Sequence, residues 1–347
     1  MKLLLFFLSL LLLLPIAINA ESVAQPFDKV VPGRVFSFPQ DHNLHQGFQS
    51  EWWYVTANLQ GEDGLDYGAQ FTLFSNTVMI GDQPQRIFFA HAALSTPTQF
   101  YHAERYAKAI MQHGGTQTKP WQGFIDHWQF NGSDDAPLPG NLNVSEPAFA
   151  YDLQLSASPY FLQGERGFSK KNNSGSLASY YYNAPFIKID GTVYLKDKAI
   201  KVRGDGWLDR EWSSGMFGGK NAGSPVEQNK KVSWDWLALH LDADTALMLY
   251  RVRSKDETYL SGMIMSASGK QTPLSAAQVN WQPTAHKMFD HNQYPISWQL
   301  KIPEHAIDIN ITPINDNQFI NGTIPYWEGA IKVTGSHNSH GYLELFQ

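Results

Sequence analysis

Apolar and polar positions alternate with period 2 along most of the chain. Trp53, Val55, Ala57 and Leu59 interleave with Tyr54, Thr56 and Asn58, the pattern of a strand with one buried face. Further strands are predicted around Phe71 and Leu73, and over Phe88–Leu94, Val193–Val202, Leu247–Val252 and Ile331–Val333. Gly61-Glu62-Asp63-Gly64 predicts a turn and Ala267-Ser268-Gly269-Lys270 a hairpin tip. Helical stripes are scarce. The best helix candidate is Tyr101–Gln112, which ends at Gly114-Gly115. Asn131–Pro147 predicts a long loop rich in Pro, Gly and Asp. Ser213–Lys231, rich in Gly, Ser and Asn, predicts an interdomain linker.

A weak internal repeat divides the chain at that linker. Trp52-Trp53-Tyr54-Val55-Thr56-Ala57-Asn58-Leu59 has its counterpart in Trp234-Asp235-Trp236-Leu237-Ala238-Leu239-His240-Leu241. Gly191 through Gly206-Trp207-Leu208-Asp209 likewise resembles Gly329 through Gly341-Tyr342-Leu343-Glu344. Each half opens on a Trp-rich strand and closes on a Gly-aromatic-Leu-acid strand, and pairing the two would close a barrel and remove exposed edges. The expected fold is therefore all-β, with two antiparallel barrels in tandem over 21–212 and 232–347 and the linker at 213–231. Limited proteolysis should cut within 213–231 and leave two fragments that stay associated. Cleavage confined to 131–147 would contradict that boundary.

The first twenty residues predict an export signal. Lys2 precedes the apolar run Leu3–Leu14, Pro15 breaks it, and Ala17-Ile18-Asn19-Ala20 offers a small residue at the cut. A run of about a dozen residues is too short for a bilayer, which needs roughly twenty. The mature chain is expected to start at Glu21 and to work as a soluble periplasmic or secreted protein with no stable membrane span. The chain has no cysteine, so disulfides are excluded and stability must come from burial. Its 11 Trp, 15 Tyr and 21 Phe supply material for that burial. The net charge of −6 argues against nucleic acid or an anionic membrane surface as partner.

Six ordered motifs add a resemblance. EWWYVTANL, FFAHAALS, GERGFSKK with ASYYYNAPF, GDGWLDREWSS, WDWLALHL, and YWEGAIKVTGS with GYLEL resemble the AttH-like family, which includes the carotenoid 1,2-hydratases. The resemblance runs from about Gln49 to Leu345. It implies a pair of lipocalin-like β-barrels packed together. It also implies two kinds of activity: hydration of a carbon–carbon double bond in an isoprenoid, or service to an ABC-type exporter.

Hydrating an unactivated alkene needs a strong proton donor, an apolar cavity and water admitted to one face. A buried carboxylic acid keeps its proton because desolvation raises its pKa, and aromatic faces stabilise a developing cation. Acids flanked by tryptophan are the candidates: Glu51 beside Trp52 and Trp53, Asp209 and Glu211 beside Trp207 and Trp212, Asp235 between Trp234 and Trp236, and Glu328 after Trp327. Asp235, Asp209 and Glu211 are read as candidate proton donors. Glu51, Trp52, Trp53, Tyr54, His91, Trp212, Trp234, Trp236, His240, Trp327 and Glu328 are read as candidate ligand contacts. The opposing reading is structural. A residue next to an inward Trp points the other way, and Asp209 and Glu211 could pair with Arg203 or Arg251 where the barrels dock.

No metal or other cofactor is expected, since HExxH and compact His/acid spacings are lacking. Nucleophile-elbow, Walker and Rossmann signatures are lacking too. The leading expectation is an exported protein that binds or carries an apolar, lipid- or isoprenoid-like molecule, with an ABC-type exporter as its candidate partner. The alternatives are a hydro-lyase acting on an isoprenoid and a carbohydrate-active protein, since Trp platforms and paired acids also suit sugars.

Overall fold

The computed structural model describes residues 27–80, 83–196, 198–214 and 232–347. The expected export signal and nearly all of the expected linker lie outside the described residues. Within them the chain is almost entirely antiparallel β-structure in two sheets. The first holds β1 (Ser50–Gly61), β2 (Asp66–Ile80), β3 (Gln83–Ser95), β4 (Phe100–Lys108), β5 (Gly114–Thr118), β6 (Trp121–Ile125), β7 (Trp128–Ser133), β8 (Ala136–Ser145) and β9 (Phe149–Leu155). It is completed by the short β10 (Phe161–Leu162) and β11 (Phe168–Lys170) and the long β12 (Ala178–Leu195) and β13 (Lys198–Ser213). The second holds β14 (Ser233–His240), β15 (Thr245–Arg253), β16 (Thr258–Ser266), β17 (Gln271–Ser275), β18 (Asn280–Phe289), β19 (Asn292–Ile302), β20 (Ile307–Pro313), β21 (Phe319–Ile320), β22 (Tyr326–Gly335) and β23 (Ser339–Phe346).

Each half closes as the repeat requires. β1 pairs with β13 from Ser50↔Ser213 to Gly61↔Val202, and β14 pairs with β23 from Trp234↔Phe346 to His240↔His340. The ladders are interrupted elsewhere, between β4 and β5 and between β17 and β18. The first half is a nearly closed barrel and the second a half-barrel.

Three sequence expectations are corrected. Tyr101–Gln112 is not a helix: its first part is strand β4, paired with β3 from Ile87↔Lys108 to Ser95↔Phe100, followed by one 3₁₀ turn over Ala109–Met111. The neighbouring strand offers a full ladder, which outweighs a weak local propensity. Asn131–Pro147 is not a loop, because most of it forms the end of β7 and all of β8. Gly132 makes that hairpin possible, since a Cβ there would lie 2.0 Å from the Ala136 carbonyl oxygen. Val193–Val202 is a hairpin joining β12 to β13 and not one strand.

Alternation decides where the cores sit. Trp53, Phe71, Leu73, Trp121, Trp128 and Phe130 are wholly buried inside the first barrel, exposing no surface even towards its interior. These side chains occupy the interior in which a lipocalin-like barrel could hold a ligand. Leu237, Leu249, Leu300, Ile309 and Trp327 fill the second half in the same way. The opposite faces of the same strands make a third core between the halves, from Tyr54, Tyr181 and Trp207 on one side and Trp236, Met248, Tyr250, Met263 and Tyr342 on the other. Gly68 allows the close approach there, because a Cβ at that position would lie 2.5 Å from the Cβ of Ala330. An apolar interface of this kind supports the expectation that two proteolytic fragments stay together.

Candidate active site between the barrels

Period 2 sorts the Trp-flanked acids into two groups. Glu51 and Asp235 face barrel interiors, while Asp209, Glu211 and Glu328 face the interface core.

The interior acids are ion pairs. Glu51 is wholly buried against the equally buried Arg210, whose guanidinium stacks 3.9 Å from the Trp53 ring centroid. His45 and Arg86 complete its shell at 3.1 Å and 3.4 Å. Burial pushes the Glu51 carboxyl up, but Arg210 and His45 more than offset it and hold the group below its usual range. Trp212 lies at this same end of the barrel, stacked on His45 at 4.0 Å. Asp235 accepts from Arg251 at 2.7 Å and 2.9 Å and from Arg253, all within the second half. Trp327 also points inwards, donating to the Asp316 carbonyl at 3.0 Å. The geometry therefore leaves Glu51, Trp53, Trp212, Asp235 and Trp327 outside the interface cluster.

Among the described residues the interface acids have no arginine partner. Arg251, a proposed partner of Asp209 and Glu211, binds Asp235 instead, and Arg203 is exposed. Glu211 pairs with Lys171 at 2.7 Å, whose ammonium sits 4.2 Å from the Tyr250 ring. Asp209 accepts from the Tyr181 hydroxyl at 2.9 Å and the Trp207 indole at 2.8 Å. Burial drives its pKa well above the ordinary carboxyl value, and these two donors offset only part of the rise. Glu328 accepts from the Tyr54 hydroxyl, and its Oε2 has no partner in hydrogen-bonding geometry. Burial again drives the pKa far up, and the charge of Glu344 adds to it. In both Asp209 and Glu328 burial favours the protonated, uncharged carboxyl.

The repeat extends to this cluster. Asp209 lies across the ladder from Tyr54, and Glu344 lies across the equivalent ladder from Trp236. Glu344 also lies beside Glu328 in register and accepts from the Trp234 indole at 2.5 Å. It is half-buried, with a pKa pushed up to about 7 by desolvation. The aromatic walls are edge-to-face: Tyr54 to Trp236 at 5.3 Å and Trp207 to Trp236 at 6.2 Å. Trp52 lies half-buried against this core. His91 bonds the Tyr326 hydroxyl at 2.8 Å on one flank. On the other, His240 bonds the Pro185 carbonyl at 2.7 Å, 6.0 Å from the Trp207 ring. Burial lowers both histidines to about 4, so both are neutral at pH 7.

A groove of about 730 Å³ opens between the barrels, and Ala330, two residues from Glu328 on the same face of β22, is among its lining residues. Asp66, Lys188, Asp205, Lys332 and His340 also line it. Among the described residues, no cluster of His, Cys, Asp and Glu is arranged to hold a metal ion.

The sequence reading singled out neither Tyr181, Tyr326, Lys171 nor Glu344 as site residues. The signal for Glu344 was present, because the repeat aligns it with Asp209.

The neutral acids give stability a definite pH slope. Between its unfolded pKa, about 4.5 for glutamate, and its raised folded pKa, the native state binds the extra proton. Stability is therefore full below the unfolded value and declines as pH rises through this window. Denaturant melts of wild type from pH 5 to 7 should show a slope about 1.4 kcal/mol per pH unit steeper than those of Glu328→Gln. Parallel slopes would contradict the protonated state. Glu51 acts with the opposite sign and below this window, since its folded pKa is lowered.

Comparison with known proteins agrees with this architecture. The AttH-like family profile matches residues 29–347. The chain belongs to the AttH-like family. An AttH protein from Nitrosomonas europaea superposes with a TM-score of 0.78 at 30% identity, covering 92% of this chain and 98% of that one. Kievitone hydratase from Nectria haematococca superposes with a TM-score of 0.66 at 14% identity, over 93% of this chain and 96% of that one, and shares the fold. A search of curated proteins finds no match.

Proposed function

We propose that this AttH-like protein is a hydro-lyase that adds water to a carbon–carbon double bond of an apolar substrate, with Glu328 as the proton donor. One observation carries the reading: the Glu328 carboxyl is buried among aromatic rings, where it accepts from the Tyr54 hydroxyl and burial favours its protonated form. Such a group has the two properties alkene protonation needs, an available proton and surroundings that stabilise a cation. The Glu328 proton goes to one alkene carbon, and Tyr54, Trp236 and Trp207 face the cation that forms on the other. Water adds to that carbon and gives its proton to Glu344, whose pKa near 7 suits a base in contact with solvent. Asp209, with both oxygens engaged, fixes the Tyr181 and Trp207 donors. The similar fold of a hydratase supports the reaction class. On the reading of residues 1–20 as an export signal, the substrate is met outside the cytoplasm.

The test is incubation with a panel of prenylated and linear alkenes in ¹⁸O-water. The expected product gains one labelled water, and Glu328→Gln abolishes it. Tight binding of panel members with no labelled product would favour the carrier.

A further inference from the structure

A buried acid that gives up its proton must be recharged without opening the site. Glu328 is 1% exposed. A line of side chains drawn from both barrels runs from it towards the surface. The Tyr326 hydroxyl, on the same strand face, interacts with the Glu328 carboxyl and favours its charged form. The same hydroxyl is 2.8 Å from Nδ1 of His91, on β3 of the first barrel. Nε2 of His91 is buried, has no hydrogen-bond partner, and lies 3.8 Å from the Glu104 carboxylate. Glu104 is 29% exposed and is held in place by Thr323, through its backbone N–H at 3.0 Å and its hydroxyl at 3.1 Å, and by the Tyr106 hydroxyl at 3.1 Å.

We propose that Glu104, His91 and Tyr326 form a proton relay that recharges Glu328 from solvent across the barrel interface. This rests on the assignment of Glu328 as the proton donor. The relay assigns His91 the Nδ1–H tautomer. In that tautomer Nδ1–H of His91 donates to the Tyr326 oxygen, which leaves the Tyr326 O–H free to turn to Glu328 and the bare Nε2 facing Glu104. When Glu328 has lost its proton, Nε2 of His91 takes one proton that Glu104 has collected from water. The imidazolium gives its Nδ1 proton to Tyr326 as Tyr326 passes its own to the carboxylate. One proton enters at Glu104 and one arrives at Glu328, and His91 is left as its Nε2–H tautomer, which returns to Nδ1–H before the next turnover. His91 can serve because burial keeps it neutral, with one nitrogen able to give and the other to receive. Its unpartnered Nε2, otherwise an uncompensated polar atom in the interface, is explained by this role.

The test needs no substrate. On rapid transfer of the protein from H₂O into D₂O, the carboxylic C=O band of Glu328, assigned by its loss in Glu328→Gln, shifts as its proton exchanges. Tyr326→Phe and His91→Gln should slow that shift about a hundredfold, the scale of losing one positioned transfer group. Glu104→Gln, a change at the surface that spares the core, should slow it in the same direction. Tyr342→Phe removes a buried hydroxyl outside the relay and should leave the rate unchanged. An exchange rate equal in wild type and the three relay variants would overturn the relay while leaving Glu328 as the acid. Absence of any such band at pH 7 would overturn the acid assignment and the relay together.

Discussion

Glu328→Gln should leave the protein folded and lower water addition by about a hundredfold or more, the usual cost of removing a general acid. The substitution keeps the side chain's shape and its acceptor for the Tyr54 hydroxyl. With Glu328 as the protonated acid that burial favours, it replaces a neutral acid by a neutral amide, so packing and charge hardly change. Steady-state kinetics beside a thermal melt measure both quantities. The loss should fall on kcat, with KM little changed, because the proton is transferred in the transition state and contributes little to ground-state binding. Asp209→Asn should show a smaller loss, since Asp209 acts by holding Tyr181 and Trp207. A Glu328→Gln enzyme with wild-type kcat would remove Glu328 from the reaction.

Asp235→Asn should do the reverse. Asp235 is wholly buried and is the shared partner of Arg251 and Arg253. Removing its charge strands two guanidinium groups in the second half, at a cost of roughly 3–5 kcal/mol. Denaturant unfolding should register that loss, while any activity that survives at low temperature keeps the wild-type pH profile. A variant as stable as wild type but inactive would return Asp235 to the site. Adjacent positions thus carry opposite roles, because Trp234 and Trp236 face the interface and Asp235 faces the core.

Much of the fold was legible because strands write their burial with period 2. The matching ends of the two halves announced the pairings of β1 with β13 and β14 with β23. The misread segments failed for local reasons. Tyr101–Gln112 has no strong strand residues at its polar positions, so only its partner β3 identifies it. Asn131–Pro147 carries turn residues that serve a close hairpin and not a loop. The site was legible in its residue types and less so in its membership. A Trp-flanked acid on a strand is equally well a core ion pair or an interface acid, as Asp235 and Asp209 show. The difference is set by which face meets the other barrel, and that is a property of docking. Tyr181 and Tyr326 stood in aromatic runs with nothing to separate them from core filling. Glu344 was different, since its equivalence to Asp209 lay in the repeat itself.

The central claim is that the interface holds carboxylic acids in their protonated form at neutral pH, ready to donate. Infrared difference spectroscopy between wild type and Glu328→Gln at pH 7 tests it most directly. The account predicts a carboxylic-acid C=O band that is present in wild type and missing in the variant. A difference spectrum that shows only the loss of ionised carboxylate would contradict it.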